Sequence, residues 1–153
     1  MLSIVQAETA EQIAIVREMM LEYAAWLNFD LCFQGFDEEL RTLPGKYAPP
    51  QGRLLLAYLE KRPAGMVALR PMAQVGVCEM KRLYVKQDFR GQSLGRNLAA
   101  AIIREAAEAG YTRMRLDTVP GKMDSQSGYI LILDFNPLPL IMKRQSAGPS
   151  FSN

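Results

Sequence analysis

Between Lys81 and Arg96 the chain runs from an apolar, strand-like segment through a basic loop containing Gly91 and Gly95 into a long amphipathic helix, Asn97 to Ala109. This strand–loop–helix unit constrains the chain more than any other feature. Backbone N–H groups in the first turn of a helix have no intrahelical partner, and the helix dipole is positive there. A loop that opens onto such a turn is a ready anion site, best suited to phosphate. Gly91 and Gly95 let the backbone approach a ligand closely and accept unusual dihedral angles. The plainer reading is an ordinary joint with exposed basic side chains, and the residues alone leave both readings open.

Composition bounds the rest. With 153 residues, 49% of them hydrophobic, the chain fits one globular domain with a real core. A net charge of +2 is mild and requires no nucleic-acid partner. No run approaches the roughly 18 apolar residues of a membrane span, and no membrane association is expected. No basic segment precedes an apolar one at the N-terminus, so no signal peptide is expected. Cys32 and Cys78 stand far apart, which fits free thiols in a reduced, cytoplasmic setting. There is no histidine. Ser-His-Asp and Cys-His machinery are therefore excluded, and no metal-ligand spacing is visible. Acid–base chemistry must fall to Glu, Asp, Tyr, Lys, Cys or water.

Periodicity supplies the element order. Leu2–Val5 reads as a strand. Thr9 with Gln12 forms a capping-box pattern ahead of a helix whose face is Ile13, Val16, Met20, Tyr23 and Leu27. A short helix is expected from Phe36 to Leu43. Leu54–Leu59 and Met66–Leu69 read as a hairpin joined by the turn-like Lys61-Arg62-Pro63-Ala64-Gly65. Val77–Val85 is a further strand. Leu94, Leu98, Ile102, Ala106 and Ala109 share a helix face, with Gly110 as its C′ residue. Met114, Leu116 and Thr118 alternate with charged residues in a half-buried strand. Met19, Met20, Tyr23 and Trp26 either line a cavity or form the buried side of their helix. Asp37, Glu38 and Glu39 either attract a cationic substrate or are a solvated helix start.

From Glu79 to Arg96 the sequence resembles the GNAT N-acetyltransferase superfamily, whose pattern is Arg/Gln-x-x-Gly-x-Gly/Ala between a strand and a helix. Arg90-Gly91-Gln92-Ser93-Leu94-Gly95 matches its ends, with Ser93 in place of the middle glycine. The flanking Lys-Arg-Leu-Tyr-Val and the later Arg-Met-Arg-Leu-Asp-Thr also look like bacterial members. By element order the resemblance covers residues 1–123, an acetyltransferase-like core, with 124–153 an atypical segment whose end is expected to be poorly ordered. Rossmann and P-loop glycine patterns are absent.

The resemblance implies an α/β fold: a mixed, mostly antiparallel sheet flanked by helices. It implies acetyl-CoA as co-substrate, no metal, and transfer of acetyl to a primary amine of a small molecule or peptide. Leu83, Tyr84 and Val85 would pair with the pantetheine arm. Arg90, Gly91, Gln92, Ser93, Leu94, Gly95 and Arg96 would hold the pyrophosphate, with Lys86, Arg90 and Arg96 adding charge. Backbone N–H groups near Leu83 would polarise the acetyl carbonyl. Glu79 is the candidate base; otherwise it is a partner for Lys81, two residues along the same strand face. Lys81 and Arg82 themselves are expected to be phosphate-side or surface charges.

The family pattern breaks after the Leu-Asp-Thr strand. Members continue with a helix carrying Leu-Tyr-x-x-Leu-Gly-Phe, whose tyrosine is the usual thiolate acid, and then two strands. Here Tyr129 falls near that tyrosine in a different local pattern. Reading the codons of Ser125–Lys143 one base early permits the family ending, so a reading-frame slip is expected, and the coding DNA decides it. Tyr129–Leu133 is apolar enough to form a strand all the same. An uncovered sheet edge there would favour a homodimer. Two other outcomes stay open: a catalytically impaired CoA-binding protein, and an interaction protein that uses the loop for another phosphate.

Overall fold

The structure, a computed structural model, describes residues 1–27, 35–117, 129–134 and 141–146, with Leu27 and the residues beyond Arg115 described by their backbone alone. Its strands are β1 (Leu2–Gln6), β2 (Arg53–Leu59), β3 (Arg62–Pro71), β4 (Val77–Val85), β5 (Arg113–Asp117), β6 (Tyr129–Asp134) and β7 (Ile141–Ser146). Its α-helices are α1 (Ala10–Leu27), α2 (Phe36–Arg41) and α3 (Leu94–Glu108). The strands form one sheet in sequence order. All neighbours are antiparallel except β4 and β5, which are parallel and connected through α3. This is the expected mixed, mostly antiparallel α/β sheet.

Local chemistry explains the boundaries. Thr9 Oγ1 accepts from the Gln12 N–H at 3.0 Å, and Gln12 Oε1 accepts from the Thr9 N–H at 3.1 Å, a reciprocal capping box. At the end of α3, Gly110 adopts φ 98°, its N–H reaches the Ala107 carbonyl, and the Tyr111 N–H reaches that of Ala106. That pair of bonds is a Schellman motif. The β2–β3 connection is tighter than the expected five-residue turn. Glu60 and Lys61, both with positive φ, make a two-residue turn, and Pro63 sits beside a register shift, where its missing N–H is tolerated.

Alternation along the strands splits the core in two. Leu55, Val67, Leu69, Cys78, Met80 and Met114 pack under the Leu98–Ile102 face of α3. Leu54, Leu56, Met66, Ala68 and Tyr84 pack under Val16, Met19 and Met20 of α1. Met19 and Met20 are thus core residues. Two further strands follow β5, the first on the Tyr129–Leu133 run, apolar enough to form one: β6 pairs with β5 and β7 with β6. The physical reason is that an apolar run beside an unpaired strand edge satisfies its backbone groups by laddering onto it. Cys32 lies outside the described residues. Cys78 is a buried thiol, pushed up to about 12 chiefly by desolvation, and so an inert one. Among the described residues no helix is long and apolar enough to cross a membrane, and no cluster of His, Cys, Asp or Glu could hold a metal.

Candidate active site

Strand β4 is where the site begins, because its register breaks. Met66 pairs with Tyr84 and Ala68 with Lys81, so Arg82 and Leu83 together oppose Val67. Arg82 has φ 61°. This is a β-bulge, which leaves a residue unpaired and shifts the face alternation by one. Before the bulge Cys78 and Met80 face the α3 core; after it Leu83 and Val85 do, while Tyr84 joins the α1 core. A positive φ at a bulky residue costs free energy and persists only where the surroundings hold it. Here they do. Arg82 donates from Nη2 to Glu39 Oε1 at 2.7 Å and from Nε to Glu39 Oε2 at 2.9 Å. Its guanidinium also lies over the rings of Phe36 and Tyr23. Arg82 is therefore a buried anchor that clamps α2 to the bulge, and not a surface or phosphate-side charge.

Sequence reasoning missed this pair, since nothing local links residues 43 apart. Glu39 is neither a solvated helix start nor a lure for cations. Burial pulls its carboxyl up, but Arg82 and the Tyr47 hydroxyl outweigh that and hold it below the ordinary carboxylate range. A lowered folded-state pKa stabilises the fold above the unfolded value of the carboxyl, and that contribution is lost as pH falls through the folded value. Glu39→Gln should cost about 3 kcal/mol by leaving Arg82 buried without its counter-charge. The melting temperature should drop by about 6–12 °C at neutral pH. The gap between variant and wild type should close as the pH is taken below the carboxylate range; a gap independent of pH would show that the pair is not what holds the bulge.

A second feature lies beside the bulge. The parallel ladder between β4 and β5 runs from Val77↔Arg113 to Met80↔Leu116 and stops there. The β5-facing edge of Lys81–Val85 has no strand partner among the described residues. β4 then leads through the short 3₁₀ turn Gln87–Phe89 into the glycine loop. Gly91 has φ 85° and Ser93 φ 63°. Ser93 thus occupies a left-handed position where glycine is at ease, and it makes no side-chain cap to α3. No acidic residue falls in the first turn of α3. Its leading N–H groups are left for solvent or a ligand. Ser93→Gly should therefore stabilise the protein by about 0.5–1 kcal/mol, seen as a higher denaturation midpoint. A lower midpoint would mean that the hydroxyl has a structural role.

The basic side chains of the loop are placed differently from expectation. Arg90 turns back, donating from Nε to the Val85 carbonyl at 2.9 Å and lying over Trp26 and Tyr84. Lys86 Nζ is 3.1 Å from Glu22 Oε2 on α1. Arg96, by contrast, is exposed in the first turn of α3. Tyr23 and Trp26 form an aromatic cluster with Tyr84 that supports the Arg90 guanidinium. Tyr23 and Trp26 are partly buried and pack against the core under α1, so they belong to the buried side of their helix.

Glu79 is 4% exposed and lies on the α1/α2 side of β4, upstream of the bulge. Its partner is not Lys81 but Arg70, directly across on β3, whose Nε and Nη2 both reach Glu79 Oε1, at 2.9 and 2.8 Å. A cross-strand partner wins over a same-strand neighbour because opposed residues on one face lie closer. Burial lowers the pKa of Lys81, reinforced by Arg82 and opposed by Glu79. Arg70 also lines a cleft of about 280 Å³ with Glu38, Glu39, Lys46 and Tyr47. The bulged strand thus brings an unpaired backbone edge, an uncapped helix start and a buried carboxylate together. Tyr129 is the first residue of β6, paired with Ser146. Its side chain lies outside the described residues, as do residues 118–128 and 147–153.

Residues 18–129 match the family model described as "Acetyltransferase (GNAT) family". The chain belongs to the GNAT acetyltransferase family. Among GNAT relatives, an uncharacterized N-acetyltransferase of Schizosaccharomyces pombe is 43% identical over 66% of this chain and 63% of its own length. One from Dictyostelium discoideum is 31% identical over 73% of this chain and 80% of its own length. The chain therefore spans less than two thirds of the yeast relative. A GNAT-family acetyltransferase of Staphylococcus aureus shares the fold with a TM-score of 0.65 at 18% identity, covering 77% of this chain and 73% of its own. So does the PaiA N-acetyltransferase of Thermoplasma acidophilum, solved with coenzyme A, with a TM-score of 0.57 at 16% identity over 77% and 79% of the two chains.

Proposed function

We propose that this GNAT chain transfers acetyl from acetyl-CoA to a primary amine. The observation that carries the reading is the parting of β4 from β5 after Met80, directly before an uncapped α3 start. An extended arm can ladder onto the open edge while a diphosphate meets the helix N–H groups. The residues present fit that group. The backbone of Gly91–Arg96 would hold the pyrophosphate, with the exposed Arg96 side chain adding charge. Leu83 and Tyr84 would hold the arm; the Val85 carbonyl already accepts from Arg90. The related fold from Thermoplasma acidophilum was solved with coenzyme A, which supports the choice of ligand.

When bound, acetyl-CoA supplies an activated thioester. The chain's own residues then have three tasks. The backbone at the Leu83 bulge donates to the acetyl carbonyl, where negative charge develops. Glu79 takes a proton from the acceptor's ammonium, on Oε2, since both Arg70 contacts fall on Oε1, so that the neutral amine can attack; the C–S bond then breaks and the leaving thiolate takes a proton from water. Arg70 keeps that carboxylate in one orientation. The acceptor is a small molecule or peptide that reaches Glu79 from the cleft beside α2. Calorimetry with CoA, paired with thiol release from acetyl-CoA and an amine panel, tests the reading. Absence of binding would overturn it.

A further inference from the structure

We infer that the acceptor is an anionic amine, carrying a carboxylate or phosphate beside its amino group, and that the cleft between α2 and the end of β3 binds it. This deepens the acetyltransferase reading above and rests on it for the identity of the reaction. The argument is a count of commitments around the cleft. Each of its carboxylates already has a guanidinium: Glu38 has Arg41, and Glu39 has both nitrogens of Arg82 and the Tyr47 hydroxyl. Glu79, behind Arg70, has that arginine. The cleft therefore offers little to a ligand cation beyond the amine itself.

Its cations are less committed. Arg70 spends Nε and Nη2 on one carboxylate oxygen, which leaves the Nη1 side of a planar fork suited to carboxylate or phosphate. Lys46 is exposed on the cleft wall and makes no ion pair among the described residues. Lys81 lies behind, within electrostatic reach of Arg70, Arg82, Glu39 and Glu79, both of whose carboxylates are already matched. An acceptor with its anionic group on Arg70 and Lys46 would present its amine toward Glu79, on the far side of the same arginine. A polyamine would find the opposite arrangement of charge.

The test measures turnover and binding separately. Glutamate, glycine, O-phosphoethanolamine, ethanolamine and putrescine are compared as acceptors, and their binding to the free protein is measured by calorimetry. The anionic amines should bind, and should exceed ethanolamine in kcat/KM by about tenfold or more, the worth of one charge-assisted hydrogen bond. Glutamate against O-phosphoethanolamine tells carboxylate from phosphate. Lys46→Glu should raise KM for the preferred amine by about tenfold while CoA affinity stays unchanged. Lys61→Glu, the same charge change in the β2–β3 turn, should leave KM unaltered. Preference for ethanolamine or putrescine, an equal effect of both variants, or CoA binding without any binding of anionic amines would overturn the inference and leave the cofactor reading standing. Failure of CoA to bind would sink the parent reading, while the amine titrations still decide the cleft.

Discussion

Replacing Gly95 with aspartate is expected to abolish CoA binding without destabilising the protein. Glycine at this position is unexplained by the chain itself. Gly95 has no positive φ, and a Cβ built on it would meet only Val85 Cγ2, at 3.8 Å. Glycine in a helix is about 0.5–1 kcal/mol less stable than alternatives, so the residue is a cost without an internal benefit. A ligand that needs the backbone bare accounts for it. Aspartate adds bulk and a negative charge where the diphosphate would lie. The same charge suits a helix N-terminus, so the free protein should gain about 0.5 kcal/mol. The melting temperature should hold or rise by about 1–2 °C while the calorimetric signal with CoA vanishes. Equal binding by the variant would move the cofactor site elsewhere; a collapse in melting temperature would show that the glycine serves the fold.

Glu79→Gln is expected to lower kcat/KM by about 10²–10⁴-fold, the range for loss of a general base. Glutamine keeps the shape and can still accept from Arg70, so acetyl-CoA affinity should change little. The Arg70 side chain is already 31% exposed to water, which limits the structural cost of deleting the charge of its partner. A loss below about threefold would point to a water relay, with Glu79 serving only to orient Arg70. Arg70→Lys separates orientation from proton transfer. It should keep a cation beside Glu79 but free the carboxylate to turn, and so lower the rate by less than Glu79→Gln does.

The parts of this molecule legible in its sequence are those set by neighbours along the chain. The Thr9–Gln12 capping box, the Gly110 helix end and the α3 face follow from spacings of three or four residues, and they formed as expected. Val77–Val85 was legible as a strand for the same reason. What alternation could not disclose is the bulge. Strict period-two reading puts Arg82 with Cys78 and Met80, yet the inserted residue moves it to the α1/α2 side. The cause is Glu39, remote in sequence, and no local signal names it. The Arg70–Glu79 pair is hidden likewise, because the register of β3 on β4 depends on the connection through residues 72–76, where the Met72 N–H reaches the Val77 carbonyl. Beyond Asp117 the sequence departs from the family pattern, and it was the plain apolarity of Tyr129–Leu133 that indicated the first of the two strands observed there.

The early end of the β4–β5 ladder gives the middle of this sheet the hydrogen-exchange behaviour of a margin. In the free protein the β5-facing amides of Lys81–Val85 should exchange with deuterated solvent far faster than those of Val77–Met80, although both belong to one strand. Saturating CoA should slow the first group and leave the second unchanged. The co-substrate would then serve as a removable length of sheet, and part of the affinity measured for it would be the free energy of closing a seam that the described residues leave open.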